Sequence, residues 1–410
     1  MHGLIMNYPL TLTSILHRAR DLFADGEIAT REPGGVHRYT YGDFYHRVLR
    51  LMGALKAAGV KPGDRVATFA WNRYQHLELY FAVPCLGAVL HMLNIRLSTD
   101  QLTYLINHAE DRMIFVDESL AGQLAPVQEH CKGVERFVVM REGGSERFGL
   151  RGETEYEDFL ASAQPVTELP ELDENTACAL CYTSGTTGNP KGALYSHRAL
   201  YLHTMVVGQA DVMGFSQQDS ALVFVPMFHV NGWGLPFAGV MYGGKLVFPG
   251  RNPQAADVVD LIRGEEVTFA AGVPTIWMMV DQHLQQHGGD LKPLQRIACG
   301  GSAVPRTLMQ TFDEHYGVPI VQLWGMTEMS PLGTVSRTKR RLRDASPDER
   351  YAARLKAGVP VPGIEMRIEG PNGEILPRDG ASIGELGVRG PWVISDLFKM
   401  GGWGKSSHED

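Results

Sequence analysis

The stretch TSGTTGNPKG, residues 183–192, puts four short hydroxyl side chains, three glycines and one lysine within ten positions. Glycine lets main-chain N–H groups approach an anion closely, hydroxyls add donors, and lysine supplies a mobile cation for phosphate oxygens. This composition suits a polyphosphate. It departs from the Walker pattern, in which Gly-Lys-Ser/Thr opens a helix whose N-terminus shares the phosphate. Here Pro190 precedes Lys191 and Gly192 follows it. The next residues, ALY, read as a strand, and Ser196 reads as the cap of a following helix. The loop is expected to join two strands and to work through its own donors. On composition alone, an ordinary surface turn competes with this reading.

Other residues able to do chemistry lie far along the chain: His229 in VPMFHVNGWG, Glu328 in WGMTEMSP, and Trp233 and Trp324 within the same segments. Each has a plainer reading as a structural histidine, a solvated carboxylate or core aromatics. The five cysteines have no disulfide-like spacing. Cys178 and Cys181 form a CxxC, but within the apolar run ACALCY, where residues three apart on a strand face opposite sides. A zinc site would need a second ligand pair that the sequence does not offer.

The elements that must position these residues alternate. Phe44, Val48, Leu51, Met52, Leu55 and Ala58 recur at helical spacing, with Gly59 and Pro62 as the stop. RVATFAW reads as a strand, a helix is expected over about 74–86, and Ser98 with Gln101 forms a capping box. MIFVD, RFVVM, ALVFV, KLVF, VTFAAGV, RIACG and PIVQLWG read as further short strands with helices between them. The expected fold class is α/β, with layered βαβ subdomains. After about residue 344, IEMRIEG and IGELGVRGP read as short strands with glycine turns, so a small β-rich subdomain is expected there. The approximate divisions are 1–175, 176–343 and 344–390.

At 410 residues the chain exceeds one ordinary core, and its net charge of −8 argues against a nucleic-acid partner. The most apolar region, 79–90, is too short to span a bilayer, and no export signal is seen, so the expected location is cytoplasmic. The basic run SRTKRRLRD reads chiefly as a solvated face, with CoA phosphates or another anion as the alternative.

YTSGTTGNPKG resembles the phosphate loop of the adenylate-forming (AMP-binding) enzymes, which include acyl-CoA synthetases and luciferases. VPMFHVNGWG resembles their histidine segment, GGSAVP their adenine-contacting turn, WGMTEMSP their Thr-Glu signature, and IGELGVRGP the strand that closes their large N-terminal domain. The order is the family's, and the likeness extends from about Leu10 to Trp403. The resemblance implies ATP and Mg2+, attack of a carboxylate on the α-phosphorus, loss of pyrophosphate, and displacement of AMP by a thiol, usually CoA. It places the triphosphate on Thr183, Ser184, Gly185, Thr186, Thr187, Gly188 and Lys191, and magnesium beside Thr183 and Glu328. It puts Thr327 near the α-phosphate and adenine along Gly301, Ser302 and Ala303, with Gln322, Leu323, Trp324 and Gly325 as the nucleotide wall. His229 falls beside the reacting carboxylate, and Val230 and Trp233 at the acyl tunnel. No carboxylate occurs in 230–237 to pair a substrate ammonium, and an unpaired buried ammonium is expensive, so a fatty acyl chain fits better than an amino acid. The wording PMFHVNGWGLP most resembles medium- to long-chain fatty acyl-CoA synthetases.

Complete members of that family continue into Gly-Trp-Phe-x-Thr-Gly-Asp, a hinge and a small C-terminal domain. Here DLFKMGGWGKSSHED offers Gly402 and Trp403 and then departs, and Lys405 stands in no matching context. By resemblance, 1–390 is the AMP-binding N-terminal domain and 391–410 a truncated tail. One lost preorganised group typically costs about 3–4 kcal/mol of transition-state stabilisation. The expectation is weak binding and slow adenylation. The alternatives are a non-catalytic fragment that binds ATP and fatty acid, and an unrelated nucleotide hydrolase.

Overall fold

Thr40 opens the helix Tyr41–Ala57 with a capping box: its side chain accepts from the Asp43 N–H, and the Asp43 carboxylate accepts from the Thr40 N–H. The helix buries Phe44, Val48, Leu51, Met52 and Leu55 on one face, and Gly59 at φ +84° lets the chain leave. Its partner is the helix Tyr74–Cys85, buried all round and correspondingly apolar. The same logic repeats along the computed structural model, which describes residues 1, 3–183 and 189–400.

In chain order the strands are β1 (Glu27–Glu32), β2 (Gly35–Thr40), β3 (Arg65–Phe69), β4 (Val89–Met92), β5 (Asp111–Asp117), β6 (Arg136–Met140), β7 (Thr154–Glu155), β8 (Ala177–Tyr182) and β9 (Gly192–Ser196). They continue with β10 (Ser220–Val223), β11 (Lys245–Phe248), β12 (Phe269–Gly272), β13 (Arg296–Cys299), β14 (Ile320–Gly325), β15 (Leu332–Ser336), β16 (Val359–Pro360), β17 (Glu365–Glu369) and β18 (Glu385–Arg389). One sheet has the order β7-β6-β5-β3-β4-β8-β9, parallel except for β9 at its edge. The other runs β16-β15-β14-β13-β12-β10-β11-β1-β2, with a parallel centre and antiparallel margins. Short runs such as Ala221, Leu222 and Val223 or Ile297, Ala298 and Cys299 are buried on both faces, as parallel strands under helices must be. The fold is α/β, as the sequence implies.

Sheet membership crosses the 175/176 division in both directions. β1 and β2 join the second sheet through β11, with Ile28 opposite Leu246, while β8 and β9 complete the first sheet through β4. Arg73 staples the junction: buried, it pairs with Asp117 of the first sheet and Glu32 of β1, both at 2.6 Å. Past residue 344 the chain is less β-rich than its glycine turns suggest. Pro347–Arg354 is a helix with a Ser346–Glu349 capping box, β16 belongs to the large sheet, and β17 with β18 forms a separate two-stranded sheet. The five cysteines are free and buried. Among the described residues, no helix is long and apolar enough to cross a membrane.

Candidate active site

β8 and β9 are antiparallel neighbours, so the segment between them returns beside its start. The neck is pinned twice: the Thr183 N–H donates to the Lys191 carbonyl at 2.9 Å, and the Lys191 N–H donates to Thr183 Oγ1 at 3.3 Å. Ser184, Gly185, Thr186, Thr187 and Gly188 lie outside the described residues. Beyond the neck, Ser196 caps the helix His197–Val207 by accepting from the Ala199 N–H at 3.2 Å, as read from the sequence.

The Thr-Glu segment forms a tight turn, Thr327–Met329, after β14. It is held from behind by residues outside the motifs. Tyr195 of β9 donates its hydroxyl to the Thr327 carbonyl at 2.6 Å. The Ile394 N–H donates to the Glu328 carbonyl at 2.9 Å. Ser330 Oγ donates to the Trp392 carbonyl and the Trp392 indole N–H to the Leu332 carbonyl, each at 3.0 Å. The Leu332 N–H donates to His203 Nε2 at 3.4 Å, and burial pushes the His203 pKa down to about 3, so the ring stays neutral and accepts.

The histidine segment is gripped from the first sheet. The Asn72 side-chain amide donates to the Val223 and Val225 carbonyls at 2.7 and 2.8 Å and accepts from the Met227 N–H at 2.8 Å. The Tyr80 hydroxyl donates to the Met227 carbonyl. After His229 the chain makes a left-handed turn, with φ of 46° at Val230, 55° at Asn231, 58° at Gly232, 57° at Trp233 and 78° at Gly234. Such conformations cost about 1–3 kcal/mol each for residues other than glycine. The surrounding packing outweighs that cost, and the turn directs Val230 and Trp233 into the cavity. His229 keeps an exposed edge, yet partial desolvation by the surrounding protein, with the charge of Arg96, holds the imidazole below its ordinary pKa.

These segments converge on one cavity of about 450 Å3. It lies at the carboxyl ends of β8, β13 and β14, where open α/β sheets place their ligands. Thr183, Lys191, His229, Val230, Trp233, Gly301, Leu323, Trp324, Gly325, Thr327 and Glu328 all line it. Gly300 and Gly301 provide the flat passage: a Cβ on Gly300 would stand 3.0 Å from Trp233 Cη2 and 2.8 Å from the Leu323 carbonyl oxygen. The lining therefore combines hydroxyl, ammonium and carboxylate groups with the apolar Val230, Trp233, Met213 and Leu332.

Three expected residues stand elsewhere. Ser302 and Ala303 are exposed and do not line the cavity. Gln322 faces away: its Oε1 accepts from the Val304 N–H at 2.8 Å, and its Nε2 donates to the Leu355 and Lys356 carbonyls at 3.2 and 2.9 Å. The Gln322 amide is thus taken up by the main chain of two neighbouring segments. The sequence reading also missed Met213, Met326 and Leu332 in the lining, and Asn72, Tyr80, Tyr195 and Trp392 as supports. The supports carry no motif, and only the paired strands and turns reveal them.

The comparisons agree with this geometry. The AMP-binding enzyme family matches residues 19–398. The chain is 43% identical over 395 residues to a long-chain-fatty-acid–CoA ligase of Thermus thermophilus, covering 96% of this chain and 71% of the relative. It is 40% identical over 400 residues to a medium-chain-fatty-acid–CoA ligase of Ectopseudomonas oleovorans, covering 97% and 73%. In fold it resembles the crystal structure of a long-chain-fatty-acid-CoA ligase from Archaeoglobus fulgidus, with a TM-score of 0.83 at 22% identity over 98% of this chain and 79% of that one. With a loop neck, a Thr-Glu turn and a histidine segment meeting in one cavity, the chain belongs to the AMP-binding enzyme family.

Proposed function

We propose that the chain activates a fatty acid with ATP: a carboxylate oxygen bonds to the α-phosphorus, the bond to pyrophosphate breaks, and the acyl adenylate then passes its acyl group to CoA. The observation that carries this reading is the single cavity in which Lys191, Thr183 and Glu328 share space with His229, Val230 and Trp233. The relatives named above as long- and medium-chain fatty-acid ligases support the substrate class.

In this reading Lys191 binds the β- and γ-phosphates as a point charge, and Thr327 stands beside the α-phosphate. Adenine lies between the Gly301 passage and Trp324. His229, its pKa held down, is neutral near pH 7 and offers a hydrogen bond to the carboxylate without trapping it as an ion pair. Val230 and Trp233 keep the acyl side dry, which strengthens each polar contact at the reacting end.

Magnesium fits the donor set. Thr183 and Glu328 present hard oxygens in the same cavity. Among the described residues, no group of three His, Cys, Asp or Glu could cage a metal. The site therefore suits an ion that keeps water and substrate oxygens as ligands, as magnesium does. When bound, such an ion supplies neutralisation of charge on the triphosphate.

The test is acid-dependent exchange of labelled pyrophosphate into ATP, across acids from octanoate to palmitate. Exchange that requires a fatty acid supports the assignment. Phosphate release without any acid points instead to a hydrolase, and ATP binding without exchange points to a binding function.

A further inference from the structure

The cavity extends past the reacting centre. Met213 belongs to its lining, although it lies beyond the helix His197–Val207 and in none of the motifs. Two strands locate it. Arg296, the first residue of β13, donates from Nε to the Met213 carbonyl at 3.2 Å, whereas Gly300, at the active-site end, follows that strand's last residue. Arg337, just past the end of β15, donates from Nε to the Val212 carbonyl at 2.9 Å, whereas Leu332, which begins β15, lines the cavity near the Thr-Glu turn. At ~3.3 Å per residue, four strand residues separate the two ends by about 13 Å. The Met213 main chain is thus anchored from the ends of β13 and β15 remote from Gly300 and Leu332, and Met213 joins the lining from that side.

That far end is rigid. Arg296 also donates from Nη2 to the Gly214 carbonyl at 2.9 Å, so the consecutive carbonyls of Val212, Met213 and Gly214 each accept from a guanidinium. Arg296 is itself held by Asp219 through two 2.9 Å bonds. Met213 is 3% exposed, and the chain around it has little freedom to retreat.

We infer that Met213 is the floor of the acyl tunnel and sets the longest fatty acid that the protein accepts, a specificity role that rests on the activation reading above. C–C bonds of ~1.52 Å bent at ~111° advance an extended chain about 1.25 Å per methylene. Even before the Met213 side chain takes its share, a depth of about 13 Å holds at most roughly ten carbons.

The test compares wild type with Met213→Ala and Met213→Phe over saturated acids from six to sixteen carbons, using two readouts. One is pyrophosphate exchange; the other is displacement of a fluorescent polyene fatty acid, which needs no turnover. Met213→Ala should raise the preference for the longest acids over decanoate about tenfold or more, and Met213→Phe should move the optimum toward octanoate or shorter. Superimposable length profiles for wild type and both variants, in either readout, overturn the floor. Absence of acid-dependent exchange in every protein counts against the activation reading alone, and the displacement profile then decides the floor.

Discussion

The hydroxyl of Tyr195 donates a 2.6 Å hydrogen bond to the main-chain carbonyl of Thr327. One residue belongs to the strand that leaves the phosphate-loop neck, the other to the turn that carries Glu328. Tyr195 is buried, so Tyr195→Phe removes a donor and leaves a carbonyl short of a partner, at a cost of about 1–3 kcal/mol. A lowered thermal midpoint and a weaker dependence of exchange on magnesium are expected. An unchanged magnesium dependence would reduce the bond to a packing detail.

Lys191 and Glu328 line one cavity from distant parts of the chain. Lys191→Ala and Glu328→Gln should each lower pyrophosphate exchange about 10²–10³-fold, the usual loss for one preorganised group facing transition-state charge. Lys191→Ala should also abolish thermal stabilisation by ATP. A wild-type shift with ATP in that variant would remove the loop's assigned role.

Arg73 is a stability prediction. Replacing it with methionine strands the buried carboxylate of Asp117, whose pKa burial already raises. Removing one partner of a buried pair typically costs about 3–5 kcal/mol. Urea unfolding of Arg73→Met should show such a loss; a change under 1 kcal/mol would mean that water reaches the pair.

Buried histidines give the pH response a sign. His76 accepts or donates at both ring nitrogens, to Thr68 and Trp71, and burial pushes its pKa down to about 4. The unfolded chain binds a proton there below about pH 6.5, whereas the folded chain does not until about pH 4. Stability from this group therefore falls as pH drops through that window, by up to about 1.4 kcal/mol per unit. His76→Gln should flatten the slope between pH 6.5 and 4 relative to wild type, when unfolding is followed by urea at several pH values. Parallel curves would refute the assignment.

The legible parts of the molecule share a physical cause. Parallel strands buried on both faces leave short apolar runs, and helix starts leave Ser or Thr caps, so β5, β6, β10–β14 and the helices of residues 41–57 and 99–109 are readable locally. GVHRYT is mixed in polarity because β2 is an edge strand, and EIATRE, although paired on both sides, carries no such run either. Pairing β1 with β11 is a contact between distant segments that no local pattern encodes. In the site, motifs locate Lys191, His229 and Glu328. They do not reveal that the Gln322 amide is occupied by neighbouring main chain, and they pass over Met213, whose turn is held by two arginines from distant strands.

The exchange of strands between the two sheets has a consequence during synthesis. The hairpin of β1 and β2 emerges early, yet its docking partner Leu246 leaves the ribosome long after Ile28. At ~5–20 residues per second the interval is about 10–40 s. Throughout it the hairpin's open edge has no companion, so a nascent chain is most exposed to mispairing and to chaperone capture before β11 is made.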